Sequence, residues 1–136
     1  MSKSVILIWA MKIILAGLYI MVAIPKFGSV DLTMHIFQTL GIEPWGRYFT
    51  GVTELLVALL ILIPATTIYG VALSIMTLLG AFAAHFFVIG IVVKNASGSI
   101  NDGGEIFTTA IILLVLSIAN LYIHRRSIPF IGADKS

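Results

Sequence analysis

Residues 48–63 read YFTGVTELLVALLILI, and one carboxylate, Glu54, stands in a stretch that otherwise has the makeup of a membrane span. Hydrocarbon penalises a charged side chain, so an acid at such a position persists for a partner or for chemistry. Three further apolar segments flank it, residues 5–24, 69–93 and 106–123. Each approaches the ~20 residues that a helix needs to cross a bilayer core. Segment 48–63, with 16 residues, is the shortest and is expected to cross with little tilt.

Composition points the same way. Of 136 residues, 60% are apolar and 10% charged, and the mean hydropathy is strongly positive, a profile outside the range of soluble domains. The chain reads as one all-α membrane domain over residues 1–136, with any soluble catalytic partner supplied by another chain. The absence of cysteine excludes thiol–disulfide chemistry, thiolate metal sites and iron–sulfur clusters held by this chain. A net charge of +2 from dispersed lysines and arginines leaves no stripe for nucleic acid.

The N-terminal apolar run is longer than the core of a signal peptide and lacks a small-x-small site after it, so it is expected to remain as a first helix. One side of the membrane would carry Lys3, Arg125, Arg126 and Lys135, the other Lys26, Arg47 and Lys94. The positive-inside rule then favours cytoplasmic termini.

Pro25–Lys26–Phe27–Gly28 punctuates the end of the first helix. In the connection that follows, Asp31, His35 and Gln38 share one helical face, while Leu32, Ile36, Phe37 and Leu40 share the other. That pattern predicts a short amphipathic helix over about residues 30–40, lying in the interface plane and stopped by Gly41 and Pro44. Trp45 and Tyr48 fit an aromatic belt, and residues 64–67 form a tight hairpin. Residues 95–105, rich in glycine, serine and asparagine, read as a solvent-facing loop, and no internal repeat is evident.

Lipid gives no hydrophobic reward for helix association, so small and polar residues mark the faces that pack. Lys12, Ala16, Tyr19, Ala23 and Lys26 form one stripe; Gly51, Glu54 and Ala58 a second. Gly70, Ser74, Thr77, Ala81, Ala84 and His85 form a third, and Thr109, Ser117, Asn120 and His124 a fourth. Facing them inward gives an integral membrane four-helix bundle. A rise of ~1.5 Å per residue puts Glu54 ~9 Å and His85 ~12 Å from the end of the bundle at which Lys26 lies. Lys26, Glu54 and His85 therefore form a proposed outer polar layer with Thr108 or Thr109 beside it. Lys12 belongs with Ser74, Ser117 and Asn120 in a second, inner layer ~10 Å from the other end.

A carboxylate, an imidazole and an ammonium together can bind an anion, relay a proton or hydrogen-bond a carbonyl. The same residues also admit structural roles. Glu54 and Lys26 can act as a clamp between helices. His85 can be satisfied by a side chain or a backbone carbonyl, Lys12 can snorkel to the surface, and Tyr19 can be core with a bonded hydroxyl. His35 reads as solvated, and His124 with Arg125 and Arg126 as a headgroup boundary. Without a second histidine at helical spacing, no metal site is expected.

Lys12 and Gly17, then Pro25–Lys26–Phe27, then Gly51-Val-Thr-Glu54, then Met76 to His85 with Ala81, together resemble the DoxX and DoxX-like family of small four-helix bacterial membrane proteins. The resemblance spans nearly the whole chain, and its most specific parts are the lysine–aromatic ending of the first helix and the Gly-x-x-Glu of the second. Lys12 stands where the family commonly has arginine, and Ala23 where a glycine often precedes the lysine by three. The resemblance implies the bacterial inner membrane and a place in redox systems, since some relatives are subunits of a thiosulfate:quinone oxidoreductase and others act with oxidative-stress enzymes. It also implies that Lys26, Glu54 and His85 are the family's polar positions.

The leading expectation is a membrane subunit that binds quinone and docks a soluble oxidoreductase, without haem, flavin or metal of its own. The alternatives are a small solute or proton transporter or channel, with a homo-oligomer to complete its wall, and a non-catalytic anchor that recruits a partner enzyme through residues 29–47 and 95–105.

Overall fold

A computed structural model describes residues 3–125. Arg126 and Lys135, on which part of the charge count rests, lie outside the described residues. The chain there is all-helical, with helices α1 (Lys3–Ala23), α2 (Asp31–Thr39), α3 (Trp45–Leu62), α4 (Thr67–Ala84) and α5 (Glu105–Ile123). Four of them, counted with their flanking turns as Lys3–Phe27, Trp45–Leu62, Pro64–Ile89 and Glu105–Ile123, are long and apolar enough to cross a membrane. The shortest spans 18 residues, or ~27 Å at the α-helical rise, so Trp45, Gly46 and Arg47 extend it beyond the apolar run.

These four pack as a ring, α1 against α3 and α5, and α4 against the same two. Their inward faces are the small and polar stripes: Ala16, Tyr19, Ala23, Gly51, Ala58, Gly70, Ser74 and Ser117 are all buried. Leu15, Val57, Ile61, Val71, Leu78 and Leu113 fill the space between them. Large apolar side chains face outward instead, among them Leu7, Ile13, Met21, Phe49, Met76 and Phe87. A water-exposed surface with so much contiguous apolar area is rare in soluble monomers.

The connections follow local chemistry. Pro25 has no N–H to continue the α1 ladder, and the chain tightens into a 3₁₀ turn over Ile24–Phe27. α2 ends in a Schellman turn, with Gly41 N–H donating to Gln38 O and Ile42 N–H to Phe37 O, both 3.0 Å. The 64–67 hairpin forms as the sequence indicates. Thr66 and Thr67 hydroxyls donate to Leu60 O (2.8 Å) and Ile61 O (2.9 Å), covering carbonyls that the end of α3 leaves open.

One expectation requires correction. The third segment is not helical to residue 93: α4 passes into a π-helical turn, His85–Ile89, and stops at Gly90, whose φ of +79° suits glycine and few other residues. His85 is thus four residues from the helix end, ~6 Å rather than ~12 Å. Residues 95–105 are mostly exposed, the solvent-facing loop that their composition indicates, and the loop is tied down locally. Lys94 and Asn101 pair as an antiparallel bridge, Val93 is buried, and Asp102 accepts from the N–H groups of Val93 (2.8 Å), Gly104 (2.8 Å) and Ile106 (3.1 Å), tying this hairpin to the first turn of α5.

Candidate functional site

The 3₁₀ turn after α1 decides where Lys26 goes. Its side chain folds back along the helix, Nζ donating to Val22 O at 2.9 Å and meeting Glu54 Oε1 at 2.9 Å. Glu54 is 7% exposed; Lys26 meets Oε1 as an ion pair, and neither carboxylate oxygen has an aligned hydrogen bond among the described residues. Gly51, one turn before Glu54, makes the approach feasible. A Cβ there would lie 2.8 Å from the Phe27 ring and 3.1 Å from Lys26 Cβ, so glycine lets the turn settle this close to α3 without displacing the ring.

Arg47 fixes the same turn from outside. Its Nε donates to both Glu43 carboxylate oxygens (2.8 and 2.9 Å), and Nη2 lies 2.7 Å from Oε1. Its Nη1 donates to Lys26 O (2.8 Å) and Gly28 O (2.7 Å), while the guanidinium lies 4.6 Å over the Tyr48 ring. The fork of guanidinium donors holds acid and backbone at once, a task a lysine would not reproduce. Counting charges treats Arg47 as a headgroup cation, and its role here escaped that treatment. The signal was the Glu43-x-x-x-Arg47 spacing, an acid just before α3 and a base in its first turn.

His85 lies at the first position of the π turn. Such turns insert one residue into the ladder and occur often where a helix carries function. His85 Nδ1 bonds Gly90 O at 2.8 Å, and the ring packs edge-on against Phe107 with centroids 5.2 Å apart. The alternative of a histidine satisfied by a backbone carbonyl therefore holds for Nδ1, and His85 makes no direct bond to Glu54 or Lys26. What unites the three is a cavity of about 610 Å³ whose walls include all of them. Its other polar lining comes from Tyr19, Thr33, Thr50, Thr77, Glu105 and Thr109, and the rest is apolar. Thr109 is therefore the threonine beside the outer layer. α2 covers one side through Leu32, Thr33, Ile36 and Phe37, with Leu40 just after it, so its apolar face turns onto the cavity. His35, expected to be solvated, bonds Lys94 O at 3.3 Å and joins α2 to the 90–104 hairpin.

The inner layer separates into three parts. Ser74 Oγ and Ser117 Oγ are 2.6 Å apart, and Tyr19 hydroxyl bonds Ser74 Oγ. Ser117 donates to Leu113 O at 2.7 Å. Asn120 is fully buried; its Nδ2 donates to Leu116 O (2.9 Å), and its Oδ1 has no partner among the described residues. Lys12 joins none of them. It is buried on the interior side of α1 with its ammonium 4.0 Å over the Trp9 ring, so it neither meets the serines nor reaches far into water. Tyr19 touches both regions, lining the cavity and anchoring the serine pair, a link the stripe pattern alone did not give.

Among the described residues no three histidine, aspartate or glutamate side chains group closely enough to hold a metal ion. No family model, curated protein or solved structure matches the chain.

Proposed function

We propose that this is a multi-pass integral membrane protein, a four-helix bundle of the DoxX-like kind, that binds a quinone-type molecule and presents it to a partner oxidoreductase. The observation that carries this reading is the Lys26–Glu54 ion pair on the wall of an otherwise largely apolar cavity of about 610 Å³. That volume lies within the range of small-molecule sites, and a few convergent polar groups on an apolar lining are their usual composition. A lipid-soluble molecule would come in laterally, between helices whose outer surfaces are apolar.

Electrons would come from another chain, since this one offers no cysteine for a cluster. α2 and the 90–104 hairpin, joined through His35 and Lys94, form the polar end nearest the cavity and supply a surface for that partner. α2 would lie at the membrane interface, above the cavity. The resemblance implies the bacterial inner membrane, and the lysine and arginine distribution favours cytoplasmic termini.

The test is purification from native membranes, followed by mass spectrometry of the lipid extract. Near-stoichiometric quinone, in either redox state, that disappears in Glu54→Gln supports the reading. A protein that purifies without quinone, or a Glu54→Gln variant that retains it fully, overturns it.

A further inference from the structure

Most of the cavity's donors are already engaged, and most of its acceptors are not. Thr50, Thr77 and Thr109 each donate their hydroxyl proton to the carbonyl four residues earlier in their own helix, Gly46 O (2.8 Å), Leu73 O (2.8 Å) and Glu105 O (2.9 Å). The serine chain fixes Tyr19 in the same sense. Ser117 donates to Leu113 O, so Ser74 must donate to Ser117 and Tyr19 to Ser74. A carbonyl oxygen only accepts, so His85 Nδ1 carries the ring proton toward Gly90 O, and Nε2 of the neutral ring is left as an acceptor. Glu54 Oε2 and the Glu105 carboxylate have no hydrogen bonds among the described residues. The remaining donors are the Thr33 hydroxyl and one proton of Lys26, two of whose three face Val22 O and Glu54.

We infer that the cavity selects a head group that donates hydrogen bonds, a hydroxyl on an apolar body, over the same body bearing only carbonyl or ether oxygens. For the quinone-type ligand proposed above, on which this inference rests, the preferred state is the hydroquinone. A hydroxyl given to Glu54 Oε2 is a hydrogen bond to an ionised acceptor, among the stronger kinds, and Nε2 of His85 offers a second. A carbonyl ligand would meet lone pairs at those two places and would have to be held by Thr33 and the third Lys26 proton alone, or oblige another threonine to abandon its helix carbonyl within an apolar surrounding.

Four probes bound to the purified full chain in nanodiscs decide the matter: a para-alkylphenol, the matching anisole, a short-chain alkylhydroquinone and its quinone, the last pair kept without oxygen. The expected result is a phenol at least ~10-fold tighter than the anisole and a hydroquinone tighter than the quinone, the scale of rejection seen when a site built for a hydroxyl loses it. Equal affinities within either pair, or tighter binding of the anisole or quinone, overturn the inference and leave the cavity reading standing. No binding by any probe overturns both. In Glu54→Gln the phenol preference is expected to fall to within about threefold; an undiminished preference in the folded variant removes Glu54 as the acceptor. The probe series on the wild-type chain is decisive by itself where that variant does not fold.

Discussion

Two polar clusters sit in one helical ring, and they are built in opposite ways. The Tyr19–Ser74–Ser117 chain is closed, every hydroxyl proton running to the next oxygen and ending on a backbone carbonyl. The Lys26–Glu54 pair is open, with one carboxylate oxygen neutralised and the other unbonded on a cavity wall. A saturated chain fixes helix positions and has nothing left for a ligand; an unsaturated one costs desolvation that a ligand can offset. The contrast separates adhesive from site without reference to which residues are charged.

The sharpest way to break the contrast is to remove one half of the open pair. Glu54→Leu leaves the Lys26 ammonium with a single carbonyl partner, and removing one member of a buried ion pair is strongly destabilising. A loss of about 3 kcal/mol in unfolding free energy is expected, read by denaturation in mixed detergent micelles. Adding Lys26→Met to Glu54→Leu should recover most of that loss while ligand binding stays absent. A double variant that binds as well as wild type would show the pair to be a clamp and nothing more.

Arg47 supports the open cluster without entering it. Arg47→Lys keeps the charge but gives up the bidentate grip on Glu43 and the two carbonyl bonds that hold the Lys26 turn. Expected is a loss of about 2 kcal/mol in stability together with a several-fold weaker ligand affinity, measured on the same preparation. Gly51→Ala acts on the same turn by steric means. The added Cβ presses on Phe27, whose exposed ring can swing aside, so about 1 kcal/mol is expected, with a larger proportional effect on binding than on stability.

The sequence was informative wherever one residue's chemistry sufficed. Glu54 in an apolar run, the Pro25 break and the Thr66–Thr67 hairpin all follow from local rules, and the inward stripes from the helical period. It was silent where the outcome hangs on which rotamer a side chain takes or which carbonyl it finds. Lys12 and Lys26 share a stripe, yet one meets a tryptophan ring and the other a glutamate. His85 looks like part of a charged trio until the π turn gives its Nδ1 a carbonyl at Gly90. Hydropathy could not foresee that turn, because Phe86, Phe87, Val88 and Ile89 are as apolar as the helix they interrupt.

The closed cluster gives the smallest effect and the cleanest separation. In Ser117→Ala the Ser74 hydroxyl loses its acceptor, but Ser74 can rotate its proton to Tyr19 or to its own helix, as serine does in apolar helices. Hydrogen bonds between membrane helices average only ~0.6 kcal/mol, since the separated helices also find partners, and a loss near that figure is expected in the denaturation assay. Ligand affinity should stay within about twofold of wild type, because Tyr19 still has Ser74 Oγ and Ser74 O within reach. A Ser117→Ala variant that loses binding as completely as Glu54→Leu would join the two clusters into one functional chain, with Tyr19 as the link, and would end the distinction between a bonded interior and an open site.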